Sequence, residues 1–317
     1  MKRPSSLQAR ARALVPTLLL AALGAAGAAA GGSAPRPPAP APSLAELKNM
    51  KYSGFVGDAG PVTLVDGTYE GKPYAAASAS RRTVAFARDF RLAGDLNGDG
   101  QEEAVVLLAE NTGGSGTFDY LAVVARQGGQ PVNIATTPLG DRVQVRGARI
   151  EGGRILVDVL QAGAQDAMCC PGELATAAWQ LKGKKLQEVA TGVKPERLSL
   201  AAIAGTEWVL RSWAWDESVA EGIEVTFKVE GDRVGGRAAC NRYFATATEG
   251  QSPGDLAIGA AGSTKMACPD PQMAAEDRFF KQLAGVNKYS FIAGQLALTW
   301  SAEGTGGAML FDRRAAP

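Results

Sequence analysis

Turn-forming residues recur along this chain at strand-length intervals, and that spacing restricts it to short extended elements. Of 317 residues, 39 are Gly and 17 are Pro. They cluster at Asn111 to Gly116, Gly128-Gly129 and Gly152-Gly153, where they would break helices. Between these breaks Val143 and Val145, then Ile155, Val157 and Val159, alternate with polar or small residues, the period of a half-buried strand. Val62 to Val65 runs through Asp66-Gly67 into Thr68-Tyr69-Glu70, a hairpin signature. Further strands are predicted over 83–93, 104–109, 120–126, 142–150 and 154–160, and a last hairpin joins 179–181 to 186–189 around Gly183. A short helix is predicted at Leu44 to Met50, so residues 44–190 read as one antiparallel β domain.

Pro195 and mixed charge mark residues 191–202 as a linker, after which a second β-rich pattern runs from 203 to 314. Trp208 to Leu210, Val225 to Val229, Tyr289 to Ile292, Leu296 to Trp300 and Met309 to Phe311 read as strands. Pro271 to Leu283 is the clearest helix: Pro269-Asp270-Pro271 opens it, and Met273, Phe279, Phe280 and Leu283 form an apolar face set against charged residues that include Glu276 and Asp277.

The first thirty residues carry Lys2, Arg3, Arg10 and Arg12 with no acid, then an apolar run centred on Leu18 to Leu20 and the small residues Ala28 to Ala30. This is the pattern of a secretory signal peptide, with an uncleaved anchor as the other reading. Residues 31–43 hold five prolines and read as an extended linker. Removing residues 1–30 leaves 29 basic against 32 acidic residues, a balance that argues against nucleic-acid binding. No later segment is long and apolar enough to span a bilayer. Export to the periplasm or beyond implies an oxidising compartment, where Cys169, Cys170, Cys240 and Cys268 can form disulfides.

Histidine is absent, which removes Ser-His and Cys-His nucleophile pairs and every imidazole metal ligand. Gly113-Gly114-Ser115-Gly116 is a flexible loop and not a strand-to-helix nucleophile elbow, and Ser263-Thr264-Lys265 lacks the glycines of a phosphate loop. The chain is therefore expected to be non-catalytic.

Gly205 to Leu210, Cys240-Asn241-Arg242-Tyr243, Ser263 to Pro269 and the helix that follows resemble, in order and spacing, the META domain of HslJ-like bacterial envelope proteins, over about residues 203–314. The resemblance implies a compact β-rich fold with one helix, in exported proteins associated with heat stress and drug tolerance and without an agreed enzymatic activity. Within that region Cys240 and Cys268 lie 28 residues apart and are read as a structural disulfide, as buried thiols or as a redox pair, the last lacking a C-x-x-C spacing. Asn241 and Arg242 are read either as capping and ion-pairing groups inside the domain or as a ligand surface. Trp213 and Trp215 share a strand parity with Arg211, opposite to Trp208, which makes them core or an interaction face.

The sharpest local motif lies in the first domain. Asp95, Asn97, Asp99, Gln101 and Glu103, with Gly100 at the sixth position, have the spacing of calcium loops resembling those of dockerins and integrin-type repeats. Gln101 would contribute its main-chain carbonyl. Val106 stands where a helix-flanked EF-hand needs Glu, and Asn97-Gly98 and Asp99-Gly100 are also good metal-free hairpin turns. A single copy rules out a multi-bladed propeller. Met168-Cys169-Cys170-Pro171 admits a vicinal disulfide, unpaired or cross-domain thiols, or a soft-metal site. Taken together, these features predict an exported protein of the bacterial envelope that acts by binding an unidentified partner or by structural support. An inhibitor of a lysozyme or protease and a calcium-dependent adhesion module stand as alternatives.

Overall fold

The computed structural model describes residues 40–56, 60–76, 78–167, 170–302 and 304–314. The signal-peptide segment, most of the proline-rich linker, Met168 and Cys169 lie outside the described residues. From Pro40 onward the described chain belongs to one compact unit, mainly antiparallel β with one long helix.

A short helix α1 (Leu44–Leu47) opens it, held by a capping box in which Ser43 and Glu46 each bond the other's backbone N–H. Arg126 grips Glu46 through its two terminal guanidinium nitrogens, each at 2.9 Å, which draws the Glu46 carboxyl down to about 2. Strands β1 (Lys51–Tyr52) and β2 (Val62–Thr63) pair beside it. Next come β3 (Thr68–Pro73), β4 (Arg81–Gly94), β5 (Glu103–Asn111), β6 (Phe118–Gln127) and β7 (Gln130–Asp141), a meander whose spatial order follows the sequence.

The unbroken apolar runs of β5 and β6 have a clear cause, because both faces of these strands are covered. Ala104, Val106, Leu108, Tyr120, Ala122 and Val124 pack with Leu47, Tyr52, Phe55 and Leu64 on one side. On the other side Val105, Leu107, Leu121 and Val123 meet a second sheet, β8 (Gln144–Glu151), β9 (Arg154–Gln161), β10 (Glu173–Lys182) and β11 (Lys185–Val189), through Val145, Ile155, Val157, Val159 and Trp179. The result is three layers about a doubly buried central sheet. A buried ion pair sits in the first interface, where Arg82 Nε donates to Glu110 at 2.6 Å and Tyr120 donates to the same carboxylate at 2.8 Å.

β12 (Glu196–Arg197) pairs with β10 and leads into the second half, whose sheet contains β13 (Glu207–Ala214), β14 (Glu217–Ser218), β15 (Thr226–Glu230), β16 (Arg233–Ala238), β17 (Asn241–Glu249), β18 (Leu256–Ile258) and β19 (Gly262–Ser263). After helix α2 (Asp270–Ala284) come β20 (Val286–Ile292), β21 (Gln295–Ala302) and β22 (Thr305–Arg313). The main order is β18-β17-β16-β15-β13-β22-β21-β20. The two ends of this order meet, since Asp255 bridges Lys288 and the Tyr289 N–H donates to Gly254 O at 2.8 Å, so the sheet curls into a closed barrel. Trp208, Phe227, Tyr243, Tyr289, Leu298, Met309 and Phe311 fill it, and α2 covers it with Phe279 and Leu283. Glycine is required at position 236, where an added Cβ would lie 2.2 Å from Thr226 O.

The barrel rests against the first half through β8 and β20. Phe291 N–H donates to Gln144 Oε1 at 2.9 Å, Gly294 N–H to Val145 O at 2.8 Å, and Arg146 lies over the Phe291 ring while bonding Ala202 O.

Candidate functional site

The acidic loop joins β4 to β5 and holds itself together through its own backbone. Asp95 accepts from the N–H groups of Asn97, Gly98 and Gly100, and Asp99 accepts from Gln101. The bonds from Gly100 and Gly98 hold the Asp95 carboxyl below its usual range. Glu103 is buried at 2% exposure and accepts from Leu96 N–H at 2.9 Å; burial first, and the charges of Asp99 and Asp95 after it, push its carboxyl up. Asn97 Nδ2 bridges Asp99 and Glu103 at 3.2 and 3.0 Å. Among the described residues no ion pair reaches Asp95, Asp99 or Glu103, and no three Asp, Glu or Cys side chains are placed as a ready ligand set for a metal.

In the barrel, Cys240 and Cys268 form a disulfide with Cα atoms 5.9 Å apart. Asn241 beside it is buried at 2% exposure and fully engaged. Its N–H and Nδ2 donate to the two oxygens of Glu276 at 2.7 and 2.9 Å, while its Oδ1 accepts from Thr264 Oγ1 and Met266 N–H at 2.7 and 2.8 Å. This knot ties α2 and the 264–266 segment to the start of β17, so Asn241 is structural and offers no ligand surface. Arg242 points the other way and is exposed, since β17 alternates strictly between core and solvent. Glu276, read above as part of the charged face, is 6% exposed and turned inward.

The tryptophans also divide. Of the two readings left open for Trp213 the core one holds, since it is 6% exposed; irregular register at Ser212 shifts strand parity and brings it to the side of Trp208. Trp215 is half exposed, but Arg88 lies over its ring at 5.1 Å and bonds its carbonyl. Arg88 reaches it from a bulge in β4 where Arg88 and Asp89 both have positive φ, 47° and 56°. The Cys169–Cys170 pairing falls on a residue outside the description. Lys288 Nζ approaches Cys170 Sγ at 3.9 Å.

A site that the sequence reading missed lies between α2 and the β21–β22 hairpin, a cleft of about 670 Å³. Asp277, Arg278, Lys281 and Gln282 line its helical side and Trp300 and Thr305 its strand side. Arg278 is positioned twice over, by stacking on Trp213 at 4.8 Å and by pairing with Glu217 at 2.5 and 2.7 Å. Two buried polar atoms on lining residues, Gln282 Oε1 and Trp300 Nε1, have no hydrogen-bond partner among the described residues. One acceptor and one donor thus stand unmatched beside a pair of cationic side chains. The available signal was the i, i+4 spacing of Arg278 and Gln282, but the hairpin that completes the cleft is remote in sequence.

The META domain family model matches residues 201–315. The chain is also similar to a solved structure, the NMR structure of the protein from Burkholderia xenovorans, at 21% identity, covering 40% of this chain and 97% of that one with a TM-score of 0.29. No curated protein matches it.

Proposed function

We propose that this chain is an exported, non-catalytic binding protein of the bacterial envelope that uses its META domain to engage a partner. The observation that carries the reading is the cleft between α2 and the β21–β22 hairpin, where Arg278 and Lys281 flank unmatched polar groups on Gln282 and Trp300. A partner presenting acidic side chains beside an apolar edge would complement the two cations and the Trp300 side of the cleft. The basic, apolar, small-residue leader supports export, and the disulfide suits an oxidising compartment.

The test places a photo-crosslinking residue at Thr305 in the full chain, expressed in a bacterium that exports it. A discrete envelope adduct that disappears in Trp300→Ala, while circular dichroism of that variant is unchanged, is expected. Absence of an adduct, or an adduct indifferent to Trp300→Ala, overturns the assignment. N-terminal mapping of the exported chain is expected to begin near Gly31.

The same reading gives the acidic loop a structural Ca²⁺ ion. Its donors are hard oxygens, the Asn97 amide stands between the carboxylates of Asp99 and Glu103, and the charges of Asp99 and Asp95 both bear on Glu103, a repulsion that a cation would relieve. Asp95, Asn97, Asp99 and Glu103 would hold the ion with the Gln101 carbonyl, exchanging some of the present N–H bonds for it. Millimolar Ca²⁺ is expected to raise the melting temperature over that in chelator, and equal values in the two remove the ion.

A further inference from the structure

A second, mostly apolar cleft of about 430 Å³ lies where the first half meets the barrel. Leu107 and Ala109 of β5, Val143 and Val145, and Phe291 and Ile292 of β20 form its walls. Asp119 of β6 stands among them. It follows the same strand parity as Leu121 and Val123, which lie in the core between the two sheets, so a carboxyl occupies a position where the alternation calls for an apolar side chain.

Nothing in the described protein answers that carboxyl. No described side chain hydrogen-bonds or ion-pairs with Asp119, although the comparable acids in this half, Glu110 and Asp166, each have an Arg. Its register partners are Ala109 on β5 and Gly140 on β7, and β20 presents Ser290 and Phe291, so these elements bring no cation to it. The charged side chains nearby are Asp141, which repels it, and Arg142, whose guanidinium is bound to Asp141 at 2.9 and 3.1 Å. Gln144, also on the wall, accepts from Phe291 N–H through its Oε1, and no hydrogen bond joins its amide to Asp119. Burial and the Asp141 charge push the Asp119 carboxyl up to about 7, so it is available in both protonation states near neutrality. A mostly apolar cleft of this size, with one carboxyl that no described side chain pairs, has the composition of a small-molecule site.

We propose that this cleft binds a small apolar molecule bearing a single primary ammonium group, with its chain along Leu107, Val143, Val145 and Phe291 and its nitrogen on the Asp119 carboxylate. The ammonium supplies the counter-charge that the fold withholds, and the apolar body displaces water from walls that have little to offer it. This site is independent of the cleft at α2, and either assignment can fail without the other.

Titration calorimetry on the exported chain tests it, with n-octylamine, n-octanol and n-octanoate as probes at pH 8.0 and pH 5.5. At pH 8.0 octylamine is expected to bind at least tenfold more tightly than octanol, with octanoate weakest. At pH 5.5, where Asp119 holds its proton, the amine's advantage should fall severalfold. Asp119→Asn should abolish that advantage while octanol binding persists, and Val143→Trp, which fills the cleft, should remove binding of all three. Equal affinity for amine and alcohol at pH 8.0, an amine preference that survives in Asp119→Asn, or no binding of any probe overturns the proposal.

Discussion

Asn241 and Glu276 bond each other twice, and they do so where both are buried. Truncating the amide opens the knot: Asn241→Ala leaves one Glu276 oxygen and the donors of Thr264 and Met266 without it, while the backbone N–H of residue 241 still holds the other oxygen. A loss of about 2–4 kcal/mol is expected, read as a lower urea midpoint at unchanged slope. Asp119 has the opposite sense. Its carboxyl is raised in the folded chain, so the folded state binds the proton more tightly than the unfolded one. The stability this contributes is complete below the unfolded value near 4 and disappears as pH rises through about 7, leaving an unpaired charge behind. Asp119→Asn should therefore be more stable than the parent at pH 8, by on the order of 3 kcal/mol, with the gap closing toward pH 4. Urea unfolding at the two pH values measures it, and a gap that stays constant with pH would assign the effect to something other than titration. Neither residue declares this in the sequence. Asn241 after a Cys is compatible with a surface turn, and Asp119 beside Phe118 looks like the solvated end of a strand. Glu276 reads in the sequence as part of the charged face, although its spacing of three residues before Phe279 and seven before Leu283 puts it on the buried stripe of α2.

Elements followed the sequence wherever a pattern was uniform. Helix α2, with Pro269 before it and Gly285 after, is found within a residue of its predicted ends, and β5, β6 and β9 carry apolar runs or alternation that leave little choice. Strand β7 escaped because Pro131 and Pro138 argue against a strand; it lies at the end of its sheet's order, where a missing N–H is tolerated. The β4 bulge was equally invisible, since nothing in Ala87-Arg88-Asp89-Phe90 demands left-handed backbone, and its reason lies across the molecule at Trp215. Trp213 owes its place in the core to the same kind of irregularity, one register shift being enough to reverse a face. The disulfide acts at this scale too, joining the turn before β17 to the approach to α2. The double variant Cys240→Ala with Cys268→Ala should lose about 3–4 kcal/mol on loop-closure grounds, and dithiothreitol should lower the parent's melting temperature but leave the variant's unchanged.

At the scale of the molecule, the β8–β20 contact decides whether the halves behave as one. Gln144, Val145 and Arg146 all bond across it, and Leu160 from β9 joins the buried cluster of the barrel. Calorimetry should accordingly show one cooperative transition for the intact chain, and Arg146→Ala, which removes a partly buried cation from that contact, should broaden or split it. The three-layer arrangement has a consequence of its own. Strands β5 and β6 are sealed on both faces, so their amide protons reach solvent only when a whole neighbouring layer departs. In deuterated buffer the backbone from Ala104 to Leu108 and from Tyr120 to Val124 should be the last to gain mass, marking the innermost ribbon as the slowest clock in the protein.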